Sequence, residues 1–131
     1  MKKSNRMKLI TGVASILAVS VLALHLQAAD DKEDSMKAFM KAYHKAPKGV
    51  DPICKKALDG KATPEELKKL IAGYKEMTLA KAPKGDAASW KEKTTKLYAA
   101  AQGLEKGGPE AAAKYKAAVD CKACHSLHKP D

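Results

Sequence analysis

Between residues 32 and 46 the side chains Met36, Phe39, Met40, Tyr43 and His44 recur at i, i+3, i+4, i+7 and i+8, the spacing that lines one face of an α-helix. Pro47 and Gly49 stop that pattern. A short piece, "VDPICKKALDG", follows and reads as one or two helical turns opened by Asp51 and Pro52. A second stripe, Leu67, Leu70, Ile71, Tyr74 and Met77, predicts a helix from Pro64 to Leu79. Thr63 and Glu66 form a T-x-x-E capping box at its start, with Pro64 in the first turn. Pro83 and Gly85 fall in the next connection. The third stripe begins after Asp86, an N-cap residue, and carries Trp90, Thr94, Leu97, Tyr98, Ala101 and Leu104 up to Gly107-Gly108. The fourth starts at Pro109 and is expected to run as one helix through Tyr115 and Val119 to Pro130. β-branched residues are scarce in this part of the chain, and Ala and Lys dominate, which favours helix over strand. Short links between amphipathic helices predict antiparallel neighbours, hence an all-α, up-down four-helix bundle.

The stripes are thin. Many of their positions are alanine, and Phe39 and Trp90 are the only residues of their kinds. Faces of this composition bury little apolar area. A large apolar cofactor inside the bundle would add to such a core, although alanine also lets helices pack closely.

The first 29 residues are of a different character. Lys2, Lys3, Arg6 and Lys8 precede an almost wholly apolar run from Leu9 to Leu26, and Gln27-Ala28-Ala29 ends it with small residues. This order reads as a secretory signal. The run is also near the minimum length of a membrane span, so a retained anchor is the competing reading. A cleaved signal over 1–29 leaves one domain over 30–131, exported to the periplasm or a similar compartment, with no membrane insertion afterwards. The net charge of +10 then falls to +6. No arginine remains, which argues against nucleic-acid readout, where the arginine fork is the usual tool. The lysines are spread along every segment. They read as a solvated surface, or as a mild attraction for redox partners with acidic surfaces.

The chemistry lies at the C-terminus, in "VDCKACHSLHKPD". Cys121, Cys124 and His125 form a C-x-x-C-H string, the attachment signal of c-type haem. Three Cys and four His in 131 residues produce such a string by chance only about 0.002 times. On a helix, residues at i, i+3 and i+4 share a face. Two thiols so placed can each form a thioether to one edge of a porphyrin, with the adjacent imidazole as axial iron ligand. A zinc reading would use Cys121, Cys124 and His128, but it needs a fourth ligand, and His125, His44 and Cys54 form no second close pair. A thioredoxin-like redox pair needs a βαβ context, which is missing. Merely buried cysteines leave the adjacent His unexplained. Haem c, one per chain, is the reading adopted. His128 is set aside as a ligand, being beyond the attachment site and next to the Pro130 stop. Cys54 reads as a packing residue, with an intermolecular disulfide as its alternative. No paired carboxylates, nucleophile–base motif or phosphate loop suggests catalysis, so the chain is not read as an enzyme.

From Trp90 onward, "WKEKTTKLYAAAQGLEKGGPEAAAKYKAAVDCKACHSLHK" resembles the third and fourth helices of class II cytochromes c, the cytochrome c′ family. The likeness rests on the Trp opening the third helix, the L-x-x-A-A stretch, the glycine turn, C-K-A-C-H and a basic residue four positions after the His. That last residue is Lys129 here, where the family usually has Arg. The resemblance covers about 40 residues well and the first two helices only in pattern. It implies a four-helix bundle, often dimeric, with covalently bound haem near one end, Cys121 and Cys124 as anchors and His125 as proximal ligand. The family places the residue facing the other side of the iron on the first helix. Counting back from Gly60 puts that position near His44; because Pro47 and Gly49 interrupt the helix, Met40 stays open too, and Met36 behind it. With a distal ligand the protein is a six-coordinate electron carrier. With Phe39 or Met36 blocking the face instead, it is a five-coordinate binder of gases such as NO or CO. The family's usual arginine at the haem propionates is missing, so a lysine would have to serve.

Overall fold

The computed structural model describes residues 35–130. The expected signal segment, 1–29, lies outside them. The described residues are all-α: six helical segments and no strand. They are α1 (35–43), α2 (Ile53–Leu58), α3 (Pro64–Leu79), α4 (Ala87–Lys106), α5 (Ala111–Ala118) and α6 (Cys121–His128). None of the described helices is long and apolar enough to cross a membrane.

Local chemistry sets the helix ends. The α3 capping box is complete: Thr63 Oγ1 accepts from the Glu66 amide at 3.1 Å, and a Glu66 carboxylate oxygen accepts from the Thr63 amide at 2.9 Å. Each such cap supplies partners for N–H groups that the helix itself leaves unpaired. Asp86 caps α4 through the Ser89 amide at 2.6 Å. At the C-terminal ends of α2 and α4, the chain turns away through Gly60 and Gly107, both at positive φ.

The fourth stripe departs from the sequence expectation. It is not one helix but two, interrupted at Val119-Asp120. Asp120 leaves the helical region (φ −80°, ψ 89°) and its carboxylate accepts from the Ala123 amide at 2.8 Å, so α6 starts afresh with its own N-cap. An aspartate satisfies exposed amides better as a cap than it tolerates a helix interior. The C-x-x-C-H turn is thereby carried on a separate eight-residue helix.

The core is small. Its buried apolar residues are Ala57, Leu70, Tyr74, Met77, Trp90, Ala101 and Tyr115. α3 packs on α4, and α4 on α5; α2 bridges α3 and α5, and α6 rests on α4. The predicted face of α1 is the one that meets the core, through Met36, Phe39, Met40 and Tyr43. The Phe39 ring sits directly over Gly73 of α3, where any Cβ would overlap it. Phe39 also stacks on Tyr43 (4.9 Å between centroids) and meets Tyr74 edge-on at 5.5 Å.

Two polar anchors hold the end of the molecule that carries α6. Trp90 Nε1 donates to the Ala80 carbonyl oxygen at 3.1 Å and ties the first turn of α4 to the end of α3. His128, only 2 % exposed, places Nδ1 2.8 Å from the Lys84 carbonyl oxygen and Nε2 3.2 Å from Ser89 Oγ, with its ring edge-on to Trp90. A carbonyl can only accept, so Nδ1 carries the proton and Nε2 accepts from the serine hydroxyl. Gly85, at φ +78°, lets this loop approach: a Cβ there would stand 2.5 Å from the Leu127 carbonyl oxygen.

Candidate functional site

The start of α6 and the end of α1 meet at one cavity of about 420 Å³. Cys121, Cys124, His125, His44 and Met40 all line it. The sequence placed these five residues at the two ends of the chain; the fold brings them together. Met77, Leu97 and Val119 give the cavity an apolar wall, and Lys45, Lys93, Lys96, Glu92 and Asp120 supply its charged groups. Lys96 is paired with Glu92, which leaves Lys45 and Lys93 as the cavity's other cations.

The donor atoms differ in exposure. Cys121 and His125 are exposed, and Cys124 and His44 are half-buried. All three cysteines are free thiols, Cys54 among them on half-buried α2. Burial pushes the Cys124 thiol above its ordinary value, partly opposed by the Lys93 ammonium. Burial also raises Cys54, and a Cys121 thiolate would raise it further. His44 is held down, to about 4, first by burial and then by the His125 imidazolium across the cavity. It is therefore neutral near pH 7.

His44 follows the last turn of α1, its amide donating to the Met40 carbonyl oxygen at 3.0 Å. Its Nε2 lies 3.0 Å from the hydroxyl of Tyr74, which lies 2.8 Å from the hydroxyl of Tyr115. Both tyrosines are fully buried, and burial raises both phenols above their ordinary range. In the sequence, Tyr74 and Tyr115 stand out only as members of the apolar pattern. No local signal marks them as partners, because they are 41 residues apart and His44 precedes Tyr74 by 30.

A second cavity, of about 480 Å³, shares Met40, Lys45, Cys124 and His125 with the first. Met36 lines this second cavity beside Met40 and His125 but not the first, which Met40 also borders. His128 also borders the second cavity, with both ring nitrogens engaged by Lys84 and Ser89. Among the described residues, no three His, Cys, Asp or Glu side chains converge as a bare metal ion such as zinc would require.

The residues present do fit a haem. Two thiols at i and i+3 and an imidazole at i+4 border a cavity with an apolar wall, a second imidazole and a thioether (His44 and Met40) line it as well, and Lys45 and Lys93 are at hand for carboxylates. Comparison with protein-family models, curated proteins and solved structures finds no match for this chain.

Proposed function

We propose that the chain is an exported monohaem c-type cytochrome of the cytochrome c′ type, an electron carrier built as an up-down four-helix bundle of α1, α3, α4 and α5–α6. The observation that carries this reading is the convergence of Cys121, Cys124 and His125 with His44 and Met40 on one apolar-walled cavity. A bound haem c would supply one-electron exchange at its iron, at a potential set by axial ligands and burial. Cys121 and Cys124 would hold such a group through thioethers, His125 would be an iron ligand, and His44 or Met40 would be the candidate second ligand. Lys45 and Lys93 take the place of the family's arginine toward the propionates. The small core gains apolar contact from the group it encloses, and the thioethers keep that group from leaving a domain of this size. The lysine-rich surface suits redox partners with acidic faces.

One observation favours a second reading, a five-coordinate gas-binding protein: His44 Nε2 already has Tyr74 as its partner. The absorption spectrum of the exported protein separates the two. A low-spin reduced spectrum unaffected by carbon monoxide supports the electron carrier. A high-spin reduced spectrum that shifts with the gas supports the gas binder. A colourless protein, or one that loses its haem to acid-acetone extraction, overturns both.

A further inference from the structure

We infer that Tyr115 and Tyr74 form a tautomer lock on His44, which keeps this imidazole from serving as the distal ligand and leaves that place to Met40. The lock follows from counting protons along a buried chain. Three polar groups lie in line: Tyr115 Oη, Tyr74 Oη and His44 Nε2, with contacts of 2.8 and 3.0 Å. Each tyrosine hydroxyl has one proton to give. If His44 donated from Nε2, Tyr74 would donate onward to Tyr115, and the Tyr115 proton would be left without an acceptor in a fully buried position. An unused buried donor is costly. If Tyr115 donates to Tyr74 and Tyr74 donates to Nε2, both buried hydroxyl protons are used, and the remaining proton, on Nδ1, belongs to a half-buried ring that borders the cavity. The second direction is therefore the stable one. It makes His44 the Nδ1–H tautomer, with the Nε2 lone pair occupied.

Neither nitrogen of such a ring is open to a metal: one carries hydrogen, and the other accepts from Tyr74. Fixing of a ring tautomer by the bond at the other nitrogen is the same device that orients metal-bound histidines, used here in the opposite sense. The hydroxyl that enforces it is held in turn. The Tyr74 ring meets both Phe39 (5.5 Å) and His44 (5.6 Å) edge-on, and Phe39 rests on Gly73. Met40, one turn before His44, lines both cavities beside His125 and has no competing bond to release. Tyr74 is thus a positioning residue, acting on the site through His44. The lock itself concerns only this chain's own hydrogen bonds; its consequence for the sixth ligand rests on the haem reading above.

Two measurements test it on the full protein as exported. Nitrogen-15 NMR of the His44 ring reads the tautomer directly; the reduced protein under carbon monoxide is diamagnetic in either coordination state, and a protein without haem can be measured as it stands. We expect Nδ1–H in the wild type and in Tyr115→Phe, and a return to Nε2–H in Tyr74→Phe. A wild-type Nε2–H ring overturns the lock whether or not haem is present. The near-infrared and electron paramagnetic resonance spectra of the oxidised protein then read the ligands. Wild type and His44→Ala should share one histidine–methionine spectrum. Tyr74→Phe should acquire a bis-histidine component, and Tyr74→Phe/His44→Ala should lose it again. That rescue would not follow from mere loosening of the fold. A bis-histidine wild-type spectrum that His44→Ala abolishes overturns the assignment of Met40 while leaving the cytochrome reading intact.

Discussion

The imidazole Nδ1 of His128 stands 2.8 Å from the carbonyl oxygen of Lys84, 44 residues earlier in the chain. The same ring accepts from Ser89 and packs on Trp90, so the last turn of α6 is fastened to the start of α4 and the loop before it. His128→Ala removes two buried hydrogen bonds and the packing of a ring only 2 % exposed. The loss should be about 2–4 kcal/mol, read as a lowered urea midpoint. On the haem reading proposed above, the visible spectrum should be unchanged, since both ring nitrogens of His128 are engaged by Lys84 and Ser89. A change of axial ligation in this variant would refute that division of labour.

Gly73 sits in the middle of α3, where alanine would ordinarily gain up to about 1 kcal/mol from helix propensity. Here the sign reverses. A Cβ would enter the space of the Phe39 ring, and displacing that ring costs about 1–3 kcal/mol by overpacking. Gly73→Ala should therefore be destabilising in thermal unfolding. It should also disturb His44, which Phe39 meets edge-on at 5.7 Å. The companion variant Gly73→Ala/Phe39→Leu has a smaller, more adaptable partner and should recover part of the loss.

How much of this was legible in the chain depends on how far apart the interacting residues lie. The start of α3 follows from its capping box, whose members are three residues apart, and the start of α4 follows from Asp86. The face that α1 turns to the core was equally readable from its period. The break before α6 was not. The apolar period and the Ala- and Lys-rich composition pass unbroken through Val119, and Asp120 could be read as an exposed helical residue. Only the bond to the Ala123 amide shows it to be a cap. The cysteine string by itself carries the expectation of haem attachment, and the residues expected opposite it narrow only to Met36, Met40 and His44. The fold removes Met36 from the first cavity and gives His44 its tyrosine partners. Those partners, like the Lys84 and Ser89 partners of His128, are 30 or more residues distant, beyond the reach of any local pattern.

The Asp120 cap makes a prediction of its own. Asp120→Ala removes the acceptor for the Ala123 amide, which lies between the two thiols in sequence. Loss of an N-cap costs about 1 kcal/mol. On an eight-residue helix that is enough to fray the first turn, where Cys121 and Cys124 must hold their i, i+3 spacing. Hydrogen exchange of the amides at the start of α6 should quicken, and on the haem reading proposed above the yield of covalently attached haem should fall. Asp120→Asn, which can still accept a hydrogen bond, should restore both.

The low proton affinity of His44 gives the fold a defined acid sensitivity. Its ordinary value is 6.5, and in the folded protein it lies at about 4, through burial first and the His125 charge second. Between these values the unfolded chain holds a proton that the native protein does not, so stability increases with pH across that window. The contribution is fully present above about pH 6.5, is lost progressively as acid is added, and stops changing below about pH 4. Its full size is at most about 3 kcal/mol. Asp51, Glu66 and Glu92 are also held below their ordinary values, by the ion pairs and hydrogen bonds each makes, but they are carboxylates and act lower in the range. The urea midpoint should therefore drop between pH 7 and pH 4.5 in the wild type. His44→Gln, which has no proton to take up in this range, should flatten that part of the profile while keeping the carboxylate loss at lower pH. An unaltered profile in His44→Gln would show that another group governs the acid limb.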